Sequence, residues 1–298
     1  MKNNHSRHGG VRLKNQHDRA VCVMCIGKGR YLKQYEIVKG QMQEYAKRCR
    51  ADFVLIDEWP DRDRKRDAYS QKLLIADRLS MYELVLFLDL DVIISPNCPD
   101  IFEDIPKDCG LAAVLNPRGS GKFRKIYAGN ERVLNETVKD YFASRGFDVD
   151  SKNASKLLGN INGGVLVFRP ALVAKPFRDY YYSQHIQGSN TAYEEAPMAY
   201  YAQTNDMFYA LDERFNKMLH FESGRKEFER IYAIHHNKAW LFTDKVFKKL
   251  FKRENVFLTG IHVGFVRKLI DEGAYMVHMS GGFYSVQAAK RLMKVLRG

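Results

Sequence analysis

Leu84-Val85-Leu86-Phe87-Leu88-Asp89-Leu90-Asp91-Val92-Ile93-Ile94 is the stretch on which the fold turns. Five consecutive apolar residues describe a strand buried on both faces, the kind found in parallel sheets with helices on either side. The run then delivers two carboxylates at i and i+2. In an extended chain Asp89 and Asp91 share one side of the strand. A mere exposed turn would seldom be so apolar on both flanks, so the pair reads as a site at a strand's end.

The surrounding segments supply the rest of a sheet. Upstream, residues 20–26 form a short apolar run closed by Gly27-Lys28-Gly29. Residues 31–50 place Tyr31, Tyr35, Val38, Met42 and Tyr45 at helical spacing. Residues 52–57 read as a second strand, 61–67 as a charged loop and 68–81 as a helix. Residues 111–115 are a fourth apolar strand. This alternation predicts an α/β fold with a mainly parallel, doubly wound sheet and flanking helices. Ligands of such sheets bind beyond the carboxyl ends of the strands, which puts Gly27, Asp57 and Asp89 to Asp91 on one rim.

Downstream, residues 117–159 are polar and read as an insertion or lid with a helix at 131–144. Residues 163–168 suit a strand, and 171–184 and 194–203 suit helices. Residues 210–216 and 231–235 look short and extended. The chain closes with a basic amphipathic helix at 244–253, a strand-like 274–278 and a basic helix at 286–297.

The net charge of +13 is unevenly placed. Residues 21–216 hold equal numbers of basic and acidic side chains, so the excess belongs to the N-terminal 20 residues and to residues 217–298. That pattern points to anionic partners at the ends: a nucleotide, a phospholipid surface or nucleic acid. A non-enzymatic nucleic-acid binder fits poorly, because the neutral middle lacks an aromatic and basic recognition motif. No apolar run reaches membrane-spanning length. Cys22 and Cys25 lie in an apolar strand and read as small buried hydrophobes. An odd count of five cysteines without a secretion signal suggests a reducing, cytoplasmic setting.

Two carboxylates at a sheet rim suit a hard divalent cation such as Mn²⁺ or Mg²⁺, which takes oxygen ligands together with substrate phosphates. Such an ion neutralises charge developing on a departing diphosphate. The glycines of Asn162-Gly163-Gly164 allow close backbone approach to a ligand. Asn162 can donate and accept toward hydroxyls. A glutamate at the start of the 194–203 helix is stabilised as an anion and suits a developing oxocarbenium centre.

These motifs together resemble the nucleotide-sugar glycosyltransferases of the GT-A fold, nearest the glycogenin-like and bacterial lipopolysaccharide galactosyltransferase families. The likeness is a motif series over residues 20–240. It includes the block from Tyr69 to Ile94 with Lys72, then Asn162-Gly163-Gly164-Val165, Glu194-Glu195 and Leu211-Asp212-Glu213-Arg214-Phe215-Asn216. The resemblance implies a UDP-hexose donor, a glycan or glycolipid acceptor, retention at the anomeric carbon and a role in polysaccharide biosynthesis. It implies donor contacts from Cys25, Gly27, Tyr31, Asp57, Lys72, Leu90, Gly163, Gly164 and Lys238, and catalytic roles for Glu195 and Asn162.

The family's third metal ligand is a late histidine followed by glycine and then K-P-W. His235 precedes a lysine and a tryptophan (Lys238, Trp240), whereas His278 has the H-x-x-G form without K-P-W, so both stand as candidates. The implied organisation is a flexible basic tail at 1–19 and a catalytic domain at 20–243. Its donor half is 20–116 and its acceptor-side half 160–243. A basic helical extension at 244–298 packs on it and offers possible peripheral membrane contact. A sugar-nucleotide uridylyltransferase-like enzyme is the nearest alternative. A P-loop is excluded because Asn116 and Phe123 replace the glycine and hydroxyl residue that Gly121-Lys122 would need.

Overall fold

The computed structural model describes residues 17–27, 29–64, 66–183, 194–252, 256–281 and 283–296. The strands are β1 (Arg19–Met24), β2 (Asp52–Ile56), β3 (Leu84–Leu88), β4 (Val92–Ile94), β5 (Leu111–Leu115), β6 (Ile161–Phe168), β7 (Phe208–Ala210), β8 (Lys217–Met218) and β9 (Met276–His278). The helices are α1 (Gly29–Arg48), α2 (Ile75–Arg78), α3 (Gly121–Ile126), α4 (Glu131–Asn135), α5 (Val138–Ala143), α6 (Ser151–Lys156), α7 (Pro170–Ser183), α8 (Glu195–Thr204), α9 (Lys226–His236), α10 (Lys238–Phe251), α11 (Val256–Asp271) and α12 (Val286–Val295). Among the described residues no helix is long and apolar enough to cross a membrane.

The main sheet runs in the order β2-β1-β3-β6-β5-β7. Every residue of β3 is buried. Leu84, Leu86 and Leu88 feed one core, with Val38 and Met42 of α1, while Val85 and Phe87 feed the other, with Phe177 and Tyr181 of α7. Each such side chain contributes about 1.5–3 kcal/mol by leaving water. β1 pairs in parallel with β2 and β3, as the alternation predicts. β6 departs from that pattern by running antiparallel to both β3 and β5. An apolar run carries no signal of its own direction, so the reversal leaves no mark on residues 163–168.

Several boundaries move. Residues 68–81 form a 3₁₀ turn (Ser70–Leu74) running into the short α2. The helix expected over 131–144 is two, because Thr137 starts α5 in a capping box with Asp140. Residues 210–216 are extended only at their start, at the end of β7, before a 3₁₀ turn over Glu213–Asn216. Residues 231–235 are helical, not extended: Phe228 and Ile231, three apart, bury one face of α9. α10 begins well before residue 244 because the Asn237 side chain accepts from the amides of Ala239 and Trp240.

The expected tail at 1–19 ends one residue late, since Arg19 opens β1. Residues 1–16 of it lie outside the described residues, as do Gln184 and Arg297 of the two predicted helices. A division at 243/244 falls inside α10. The segment beyond it also joins the body of the fold. β9 lies between β4 and β8 in a second, three-stranded sheet.

Candidate active site

The chain leaves the main sheet at the end of β3, turns through Asp89-Leu90-Asp91 and enters the second sheet as β4. The turn is closed by the Val92 amide donating to the Asp89 carbonyl at 3.2 Å. Leu90 packs into the core. The acids therefore sit in a turn at the junction of two sheets, not on a continuous strand, and the turn rather than the pleat makes them converge.

Two ladders deliver the remaining groups. β6 lies antiparallel beside β3, so the Asp89 amide donates to the Gly164 carbonyl at 2.9 Å. β9 pairs antiparallel with β4, with Val92 opposite His278. That register places the His278 ring beside the acids, its Nε2 3.2 Å from Asp91 Oδ1. Asp89, Asp91 and His278 each offer a ligand atom, all within 4.8 Å of one another. With its proton on Nδ1, His278 donates to Oδ1 of Asn162 at 3.0 Å and of Asn216 at 3.1 Å. Fixing one ring nitrogen in this way orients the other toward a ligand. Burial disfavours charge on His278, but the Asp91 and Asp89 carboxylates outweigh it and raise the imidazole pKa.

Lys72 is 4 % exposed and bridges the two halves of the site. Its Nζ lies 2.9 Å from Asp89 Oδ1 and 3.0 Å from Glu194 Oε1, and donates to the Gly163 carbonyl at 3.1 Å. Burial opposes its charge, yet Asp89 and Glu194 raise its pKa well above the usual lysine range. At the start of α8, Glu195 Oε1 accepts the Gly163 amide at 2.8 Å and Oε2 accepts from Asn160 Nδ2 at 3.3 Å. Burial raises the pKa of both acids, that of Glu194 to about 7. A side chain at position 163 would collide with Glu194, its Cβ 2.7 Å from Oε1.

A cleft of about 690 Å³ opens over these groups. Of the residues expected from sequence, Tyr31, Lys72, Asp89, Leu90, Asp91, Asn162, Gly164, Glu195 and His278 line it. Gly163 sits directly behind, bonded to Lys72 and Glu195. Cys25, Gly27 and Asp57 stand at the carboxyl ends of β1 and β2 but do not line the cleft. The Cys25 amide is tied to the Ile56 carbonyl, and Gly27 lies against Tyr31 and Trp59 with φ +91°. Lys238 opens α10 on an exposed face and is not among the lining residues. His235 lies on α9, and its side chain is outside the described ones. Gly121-Lys122 enters α3, where Lys122 faces Glu213 and Glu222.

Glu194 and Asn216 stand in the quoted motifs, but the sequence assigns neither of them a role at the site. Asn216 ends the 211–216 motif, and Glu194 is one of two adjacent acids whose facing only the fold decides. Arg30, at the cleft's edge, donates to the Tyr31 hydroxyl at 2.8 Å.

No protein-family model matches the chain, and no curated protein matches it. Solved structures that are similar to it include glycosyltransferases. One is a glycosyltransferase involved in glycosylation of the major capsid of PBCV-1, at 10 % identity over 93 % of this chain and 99 % of that one, TM-score 0.47. Another is the galactosyltransferase LgtC with donor and acceptor sugar analogues, at 12 % identity over 94 % and 96 %, TM-score 0.46. A third is mouse xyloside xylosyltransferase 1, at 11 % identity over 90 % and 99 %, TM-score 0.41.

Proposed function

We propose that the protein is a divalent-metal-dependent glycosyltransferase that moves a sugar from a nucleotide-diphosphate donor to a glycan or glycolipid acceptor. The observation that carries this reading is the Asp89, Asp91 and His278 cluster on the floor of a nucleotide-sized cleft. The donor set fits Mn²⁺ or Mg²⁺: two carboxylates and one imidazole whose other nitrogen is already engaged. When bound there, such an ion would neutralise charge on the departing diphosphate.

The chain's own residues do the rest. Asn162 and Asn216 hold the His278 ring, and Lys72 fixes Asp89 while tying it to the acid pair. Glu195, held by the Gly163 amide, presents a carboxylate to the cleft where the anomeric carbon would lie. The bond between that carbon and the diphosphate oxygen breaks with its electron pair going to the diphosphate, and the acceptor oxygen takes its place as its proton passes to the released diphosphate. The motif resemblance alone supports UDP as the nucleotide and retention at the anomeric carbon.

A panel of nucleotide-sugars with Mn²⁺, read by released nucleoside diphosphate, tests the reading. UDP-hexose turnover that stops with EDTA is expected. Absence of both turnover and nucleotide binding across the panel would overturn it.

A further inference from the structure

Helix α10 packs along α9, yet none of its residues is buried. Phe242 is 67 % and Leu250 66 % exposed, with Val246 half-buried between them. The four-residue spacing puts all three on one stripe of the helix. Lys238 begins that stripe, and Lys245 and Lys249 flank it on the next strip of surface. None of these three lysines makes an ion pair among the described residues, whereas Lys248 is held by Asp244 at 2.7 Å. Leu241 is exposed too, and Phe257 of α11 extends the apolar surface by stacking on Trp240 at 5.6 Å.

α12 also mixes apolar and basic residues, but its Ala288, Ala289, Leu292 and Met293 are buried and the helix packs on α1 and α11. Its apolar face is already covered, so of these two basic helices α10 is the one with a bare face among the described residues.

From this arrangement we infer that α10 is a docking surface for an anionic lipid bilayer, with Phe242, Val246 and Leu250 entering the interface and Lys238, Lys245 and Lys249 meeting the headgroups. An apolar stripe edged by lysines matches the interfacial zone, where buried apolar area and charge attraction act together. Charge disfavours the other occupants. A second copy would bring the same lysines face to face. Residues 1–16 carry Lys2, Arg7, Arg12 and Lys14 without an acid, so they would also be repelled. The inference is independent of the transferase reading.

The test is co-sedimentation of the full chain with phosphatidylglycerol vesicles and with phosphatidylcholine vesicles. Phosphatidylglycerol should carry the protein down at low salt, high salt should release it, and phosphatidylcholine should leave it in solution. Two variants probe the surface: Phe242→Ser with Leu250→Ser, and Lys245→Glu with Lys249→Glu. Each should lower lipid partition roughly tenfold or more, with the melting temperature unchanged because these side chains are exposed. Lys290→Glu with Arg291→Glu on α12 changes the net charge equally and should leave partition nearly intact. Equal losses from the α10 and α12 charge variants would overturn the inference, as would equal binding to both lipids or to neither. Dimerisation by light scattering that Phe242→Ser with Leu250→Ser abolishes, without vesicle binding, would also overturn it and assign the face to self-association.

Discussion

The space that a Cβ on Gly164 would need is occupied by His278: the atom would lie 2.2 Å from Cε1 of the ring and 2.5 Å from Nδ1. The histidine of β9 can therefore take this position only because β6 has a glycine there. Gly164→Ala should push the ring away from Asp91 and lower Mn²⁺ affinity by about 10–100-fold, the usual effect of disturbing what orients a metal ligand. Isothermal titration with Mn²⁺ reads this directly. Unchanged affinity in a folded variant would remove His278 from the metal site.

Asp89→Asn and Asp91→Asn keep the size of each side chain and remove the charge that would hold the ion. Transfer should fall further than in Gly164→Ala. The two variants should differ in stability, because Asp89 also balances buried Lys72 at 2.9 Å. Losing one partner of a buried pair leaves an uncompensated charge, though Glu194 retains part of the balance. Asp91→Asn should melt closer to wild type than Asp89→Asn. Wild-type turnover by either purified variant at saturating donor would refute the metal role.

The parts of this site that were legible in sequence are those set by local chemistry. Five apolar residues before Asp89 fix a buried strand, and glycines at 163 and 164 announce close approach. What sequence could not rank were His235 and His278, because the choice depends on the β4–β9 register, a pairing between distant segments. It could not separate Glu194 from Glu195 either, since which acid turns toward Lys72 follows from how α8 docks. Helix α9 was misread because a short apolar run shows its period only once flanking residues such as Phe228 are counted with it.

The two histidines are separable by experiment. His278→Ala should abolish the Mn²⁺-dependent part of nucleotide binding. His235→Ala, on α9, should leave it in place. The reverse result would move the third ligand to α9 and leave the Asn162 and Asn216 contacts to His278 as structural bonds only.

Nucleotide binding should itself be metal-linked. At 100 times its dissociation constant a ligand adds about 2.7 kcal/mol of apparent stability, or several degrees of melting temperature for a chain of this size. UDP with Mn²⁺ should give that shift, and EDTA should cancel most of it. Differential scanning fluorimetry across nucleoside diphosphates checks both points. An identical shift with and without the metal would separate the cleft from the Asp89, Asp91 and His278 cluster.

Glu194 gives the protein a specific pH dependence. Burial, with the neighbouring Glu195 carboxylate, pushes its pKa from 4.5 to about 7, while Lys72 pulls the other way. Its Oε2 is buried without a hydrogen-bond partner among the described residues. Below the ordinary carboxylate range the folded and unfolded chains both hold the proton, and the group is neutral to stability. Between that range and about pH 7 the folded chain keeps the proton and the unfolded chain releases it. The native state then binds more protons, so stability falls as pH rises through the window and levels off above it. Glu194→Gln cannot titrate and keeps an amide oxygen to accept from Lys72. Its melting temperature relative to wild type should therefore climb from about pH 4.5 to about pH 7 and flatten beyond. Melting curves of the two proteins across this range decide the matter. A difference that stays constant across this range would mean that Glu194 is ionised throughout it as the partner of Lys72 and that burial does not raise its pKa.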